Sequence, residues 1–480
     1  MCWRVKAQPL HLVLLQVSLL LSLLSSFCCC TLSHSHPARS YYYNYGDDYY
    51  SANNNVIIGE EDNEVTGNYY QRYNDNNDNG DHDQLGLRNF MDDGMEQSDA
   101  LAPSSSGYKI VSVDDYLGSN QDNADHNEAF AKAWKEACFT TGGVFLVPKN
   151  KEYKLRPMNF SGPCHAHFNI KILGSIKASE DISEYKPRTH WLVFENLRNF
   201  ELEGGGTIDG KGHIWWQNSC KINKTKPCQH APTALTFEGC KNFRVTELRM
   251  VNAQQMHLTF QRCANVRAFN LVIIAPGHSP NTDGIHISQT RNIHISNSLI
   301  KTGDDCISIV SGSKNIRATD ITCGPGHGIS IGSLGAGQSK AHVSNVWVNR
   351  ARLSGTTNGV RIKTWQGGRG YAKNIIFQNI LMQNVSNPII IDQHYCDQQT
   401  PCQDMKSSVQ VSNVLYKDIK GTSATDIAIK LDCNKGHRCR GIILQNVKLM
   451  NQQQQRAKAD CHYVNLVHRG TVLPKCFRTT

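Results

Sequence analysis

After its first 27 residues the chain has no apolar run long enough for a helix to cross a bilayer, which argues against a bundle of membrane-spanning helices. Helical periodicity is almost as scarce, because one stretch alone, Asn127 to Cys138, carries it convincingly. Aromatics make up 8% of 480 residues, charged residues 19% and hydrophobics 39%, a balance that excludes a fully disordered chain, a collagen or a coiled coil. What remains is enough chain for one large or two ordinary domains with a sizeable core.

Charge is divided unevenly. Residues 32–106 hold 14 Asp/Glu against 3 Arg, and the formal charge of the whole chain is +9. With +2 from Arg4 and Lys6, residues 107–480 therefore carry +18. A basic domain behind an acidic segment points to a polyanionic partner. Arg4 and Lys6 precede an apolar run from Leu10 to Phe27, the layout of a secretory signal over residues 1–31. A membrane anchor is the alternative, disfavoured because no second apolar run follows. Export suits the cysteines: four of 18 lie in the leader, leaving an even 14 for disulfides. Sequons at Asn159, Asn223 and Asn384 fit an exported glycoprotein. An exported chain has no call on nucleic acid as its polyanion, nor on a membrane once the signal is cut. Residues 32–106, crowded with Asn, Asp, Tyr and Gly, lack the aliphatic period of a core and read as a disordered pro-segment or linker.

From residue 107 the pattern is short β-branched runs punctuated by Asn and Gly. Asn199, Asn242, Asn265, Asn292, Asn315, Asn345, Asn374, Asn413 and Gly441 each open such a run, at steps of 43, 23, 27, 23, 30, 29, 39 and 28 residues. Steps mostly in the twenties mark a solenoid, because one coil cannot bury its inner face alone. The expected fold is all-β: a single right-handed parallel β-helix of about ten coils over 107–480, with an N-terminal capping helix.

Polar clusters recur at the same step. Asn281-Thr-Asp-Gly is followed by Gly303-Asp-Asp-Cys, Gly326-His-Gly and Arg361-Ile-Lys, with 21 residues from Asp283 to Asp304 and 22 from Asp305 to His327. One coil of separation stacks residues at roughly 4.8 Å. Because strand neighbours point to opposite faces, Asp304 and Asp305 can both face outward only at a strand end or bulge. Grouped carboxylates suit glycosidic cleavage, which needs one protonated and one ionised carboxyl; crowding raises at least one pKa. Arg361 and Lys363 are candidates for binding substrate carboxylates.

In order and spacing, Asn281-Thr-Asp-Gly, Gly303-Asp-Asp-Cys, Gly324-Pro-Gly-His-Gly-Ile-Ser-Ile-Gly-Ser and Arg361-Ile-Lys-Thr-Trp resemble glycoside hydrolase family 28, the polygalacturonases. Gln393-His-Tyr-Cys and the long inserts look more like plant members. The resemblance implies an extracellular, cell-wall enzyme, monomeric and free of metal or other cofactor, that hydrolyses α-1,4 linkages of homogalacturonan with inversion. By motif position Asp304 would be the general acid, Asp283 and Asp305 would activate water, and His327 would tune the acid. Asn281, Arg361, Lys363 and Tyr395 would bind galacturonate. Val113-Asp-Asp-Tyr-Leu-Gly departs from the family's Tyr-Gly-Ala opening, in the cap. A calcium-dependent pectate lyase and a non-catalytic wall-binding β-helix are the competing readings; the three carboxylates together favour the hydrolase. Among the cysteines, Cys306 and Cys323 flank the active coils as a structural disulfide. Proximity pairs Cys396 with Cys402, Cys433 with Cys439 and Cys461 with Cys476, leaving six unassigned.

Overall fold

The computed structural model describes residues 107–118, 125–222, 224–225, 227–398 and 402–477. The expected signal, the acidic segment, the leader cysteines and the sequon at Asn223 lie outside these residues. Helix α1 covers His126–Cys138, capped by the Asp125 side chain, which accepts from the backbone N–H groups of Asn127 and Glu128. Its apolar stripe buries Phe130 and Trp134, and Trp134 meets Phe145, Phe160 and Phe168 edge-on at 5.0–5.5 Å. That packing closes the first coil. A second helix, α2 (His213–Gln217), was not expected. It is too short to show a period, and burial of Trp215 and Trp216 holds it.

The rest is parallel strands wound as a right-handed parallel β-helix. One sheet has 11 strands and a larger set of ladders has 18. Five coils matter most. In chain order their strands are Ala264–Phe269 (β1), Ile285–Ser288 (β2), Arg291–Lys301 (β3), Ile307–Ile309 (β4), Ser313–Cys323 (β5), Ile329–Leu334 (β6), Lys340–Ser354 (β7), Asn358–Trp365 (β8), Arg369–Val385 (β9) and Asn387–Tyr395 (β10). Even-numbered strands belong to the 11-stranded sheet and odd-numbered strands to the larger one. Alternation along each strand sends isoleucines and valines inward, so β2, β4, β6, β8 and β10 stack Ile285, Ile307, Ile329, Val360 and Ile389 in one buried file. The neighbouring inward file, which runs through Ile287, is aromatic nearer the cap: Phe160, Phe194, Phe237 and Phe260 stack at 4.9, 5.4 and 5.6 Å.

The recurring asparagines form a ladder. From Asn199 to Asn413 all eight have φ between 54° and 59°, and each Nδ2 from Asn242 onward donates to the Oδ1 of the asparagine one coil earlier. Asparagine is suited twice over, tolerating the left-handed turn and carrying both a donor and an acceptor. The column ends at Gly441, also left-handed, where a Cβ would lie 2.8 Å from the Asn413 Oδ1.

All four disulfides expected from spacing are present: Cys306–Cys323, Cys396–Cys402, Cys433–Cys439 and Cys461–Cys476. Of the six unassigned cysteines, Cys138 pairs with Cys164 and Cys220 with Cys228, while Cys240 and Cys263 are buried free thiols. An even number therefore did not mean complete pairing. Cys240 and Cys263 precede Lys241 and Ala264, which are in register on adjacent coils, and each Sγ bonds a backbone carbonyl instead.

Candidate active site

The site is built on the outer face of the 11-stranded sheet. Ile285 pairs with Ile307 and Ile307 with Ile329, so the turns leading into β2, β4 and β6 lie side by side. Those turns carry Asp283, then Asp304 and Asp305, then His327. The two adjacent aspartates do occupy a strand end, which releases them from strict alternation. Backbone bonds lock the turns together: Gly284 N–H donates to Asp305 O at 2.8 Å, and His327 N–H to Asp304 O at 2.8 Å. The Cys306–Cys323 disulfide braces the start of β4 to the end of β5, closing a loop worth about 3 kcal/mol in the chain-entropy account.

The three carboxylates have different surroundings. Asp304 keeps 16% of its side chain exposed; its Oδ1 accepts from His327 Nδ1 at 2.9 Å and from the Asp305 N–H at 2.8 Å. Both contacts fall on Oδ1. Asp305 is 1% exposed and both its oxygens accept: Oδ1 takes Ser330 Oγ and Arg361 Nη2, each at 2.8 Å, and Oδ2 takes Lys363 Nζ at 3.0 Å. Asp283 is buried, with Ser308 hydrogen-bonded to its carboxyl, and its backbone oxygen accepts from the His257 N–H.

These surroundings separate the acidities. Burial, then the negative charges of Asp304 and Asp305, push the Asp283 carboxyl well above the usual carboxylate range. Burial acts the same way on Asp304, but the His327 hydrogen bond and charge outweigh it and hold that carboxyl well below the usual range. The same hydrogen bond raises His327 above its ordinary value, against its own burial. Under the cleft, His286 is pushed down to about 4 by burial and is therefore a neutral imidazole; its Nδ1 lies 2.8 Å from Ser308 Oγ.

All four acid–base candidates thus converge, and Arg361 and Lys363 from β8 join them. Their engagement differs from expectation. Both cations, expected to face substrate carboxylates, spend donors on Asp305, and Arg361 Nε also bonds Ser330 Oγ at 3.0 Å. At 12% and 10% exposure they still border the cleft with donors to spare. Tyr395 ends β10 beside Trp365, ring centroids 5.5 Å apart, with Lys363 Nζ 5.3 Å from its ring centroid. Asn281 lies in the turn before β2, half-buried, with φ of 56°. Sequence reasoning missed Ser308, Ser330 and His286. Their signal was present: in Ile-Ser-Ile of β4 and β6 and Ile-His-Ile of β2, the middle residue must face out.

Among the described residues, two groups have ligand atoms within 4.8 Å of one another, as a metal would need: Asp304 with Asp305 and His327, and Asp392 with His394 and Asp432. In the first, both Asp305 oxygens and Asp304 Oδ1 already accept hydrogen bonds, so this donor set fits acid–base chemistry better than ion coordination. Among the described residues no helix is long and apolar enough to cross a membrane.

Comparison with known proteins agrees with this geometry. The model of "Glycosyl hydrolases family 28" matches residues 140–471. Polygalacturonase QRT2 of Arabidopsis thaliana is 61% identical over 363 residues, 75% of this chain and 83% of the relative. Polygalacturonase-2 of Solanum lycopersicum is 51% identical over 397 residues, 82% of this chain and 87% of the relative. Among solved structures, a polygalacturonase from Erwinia carotovora ssp. carotovora superimposes with a TM-score of 0.63 at 22% identity, over 77% of this chain and 99% of that one, a likeness of fold.

Proposed function

The chain belongs to glycosyl hydrolases family 28, and from that premise we propose that it is a polygalacturonase, hydrolysing α-1,4-galacturonosyl linkages of homogalacturonan by inversion. The observation that carries the reading is the convergence of Asp283, Asp304, Asp305 and His327 beside two cations on one sheet face. Asp304 is the general acid. It is the most exposed of the three, and with Oδ1 anchored by two donors its Oδ2 is left to meet the glycosidic oxygen. His327 shares a proton with it. Asp283 and Asp305 hold and deprotonate the attacking water on the opposite side, and Arg361, Lys363, Tyr395 and Asn281 receive the substrate carboxylates and hydroxyls.

One observation favours a second assignment, in which Asp283 and Asp304 exchange roles: in the resting site Asp283 is the carboxyl pushed toward protonation. Asparagine variants separate the two. An aryl galacturonide with a good leaving group needs no proton from the enzyme, so the variant lacking the acid keeps its rate on that substrate. Asp304→Asn should therefore lose at least about 10²-fold in turnover on polygalacturonate and recover on the aryl substrate, whereas Asp283→Asn should be slow on both. The reverse result assigns the acid to Asp283, and fresh α-product by NMR from the parent would overturn inversion.

The enzyme is exported as a monomer to the cell wall, with residues 1–31 as signal peptide and 32–106 as an acidic pro-segment before the catalytic domain. N-terminal sequencing of the secreted protein tests both cuts; a start at Met1 would overturn the first.

A further inference from the structure

The larger sheet has a face that the hydrolytic chemistry does not use. Over β1, β3, β5, β7 and β9 the strands carry ten Lys and Arg against a single acid, Asp320. None of the ten is buried; Arg291, Lys314, Lys340 and Arg350 are among the exposed ones. The asymmetry is local, because strands β2, β4, β6, β8 and β10 of the same coils carry only two Lys and Arg, Arg361 and Lys363, both paired with Asp305.

The cations are stacked by the coil. Arg267 on β1 is in register with His294 on β3, which is in register with Arg317 on β5 and then Trp347 on β7. Beside this file, Arg291 is in register with Lys314. Successive members are therefore roughly 4.8 Å apart along the coil axis. Like charges directly opposite on neighbouring strands destabilise a sheet, and among the described residues no carboxylate is in ion-pair contact with Arg267, Arg291, Lys314 or Arg317. Asp320 is taken by Arg350, which grips it through two bonds of 2.6 Å. The fields overlap at His294, whose imidazole is held below its ordinary value by burial and then by Arg317 and Arg267. Arg317 also lies over the Trp347 ring at 5.6 Å, placing an aromatic surface at the end of the file.

We propose that this face is a second polysaccharide-binding surface, which holds a carboxylated chain of the substrate class at a distance from the cleft. Arg267 and Arg317 lie two coils apart with His294 between them, and Arg291 and Lys314 lie on adjacent coils, so the cations repeat in whole coil steps, an arrangement complementary to a linear polymer bearing a carboxylate on each sugar. Arginine forks suit carboxylates in particular. A compact anion would use only one or two of the positions. The partner's chemistry rests on the polygalacturonase reading; the existence of the surface does not. Its consequence is retention: the face keeps the enzyme on the polymer between cleavages without taking part in them.

The test uses the Asp304→Asn protein as parent, so that the polymer survives the measurement, on immobilised polygalacturonate with the cleft blocked by saturating trigalacturonate. R267A/K314A/R317A in that background should be released at clearly lower NaCl, with at least ten-fold weaker retention at low salt. In the active background the same triple variant should hydrolyse trigalacturonate at the parental rate. Should the triple variant melt early, R267Q/K314Q, which leaves the Arg317–Trp347 contact in place, repeats the comparison. Equal retention of variant and parent overturns the proposal. So does retention by anionic phospholipid vesicles or duplex DNA that exceeds retention by polygalacturonate. Failure of the active parent to hydrolyse trigalacturonate would instead overturn the functional reading, and the retention comparison would still stand.

Discussion

Asp304 and His327 share a hydrogen bond of 2.9 Å, and their linkage has a definite sign. His327 is raised above its ordinary 6.5, chiefly by the hydrogen bond to Asp304, so its contribution is complete below that value and is lost as pH climbs through the raised pKa. Asp304 is depressed, so its contribution is complete above the ordinary carboxylate range and is lost only as pH falls through the lowered pKa. The two overlap in mildly acidic solution. His327→Ala should therefore lower stability most near pH 5 and progressively less as the solution turns alkaline through the raised His327 pKa. The imidazole is 39% exposed, so solvent screening limits the effect to about 1 kcal/mol. Melting curves of both proteins across that range check it; a gap that widens with rising pH would mean that the pair is not ionised as described. Cys240 and Cys263 make a second residue-scale test. Burial first, then its neighbour Cys240, keeps the Cys263 thiol well above its ordinary pKa, so it should be inert in the native protein. Denatured without reductant, the chain from residue 107 onward should titrate two thiols. None would mean that the parallel pair has oxidised.

The asparagine ladder is the element that sets the turn in every central coil. Asn292 donates to Asn265 and accepts from Asn315, each at 2.9 Å, at φ of 56°. Asn292→Ala loses both bonds and puts a Cβ without compensation into the left-handed region, a cost of about 2 kcal/mol. Asn292→Gly accepts the backbone and loses only the bonds, about 1 kcal/mol. Chemical denaturation of the two variants should show that order, with trigalacturonate hydrolysis unchanged in both; equal losses would leave the backbone conformation without a role. This ladder was legible in the sequence because one residue type answers both demands at each turn. Asp283, Asp304, Asp305 and His327 were legible for a related reason: they sit in turns whose spacing is one coil. The engagement of Arg361 and Lys363 was not. Coil steps vary from 23 to 43 residues, so sequence alone leaves the register between β6 and β8 open. That register, pairing Ser330 with Arg361, is what brings both cations onto Asp305. The serines beneath the acids were hidden by the same ambiguity, because alternation says that they face outward but not what they face.

At the scale of the molecule, the coils that carry the site sort charge by side. There the acids are gathered in the cleft of one sheet and most cations on the outer face of the other, and residues 107–480 together carry +18. The two sides should answer differently to salt. In the cleft, Arg361 and Lys363 are 12% and 10% exposed and braced by Asp305, so mobile ions screen them poorly. The outer cations stand in solvent, where the screening length contracts from about 30 Å at 0.01 M to about 8 Å at 0.15 M. A trisaccharide that reaches only the cleft should therefore show a KM that changes little over this range. Long polygalacturonate, which senses the field of the whole domain, should show a KM that rises several-fold, with kcat unchanged because the reacting groups are the same. Steady-state kinetics on both substrates at the two salt concentrations decide the point. If the KM values rose in parallel, the attraction would lie in the cleft itself, and the charge on the far sheet would have no part in gathering substrate.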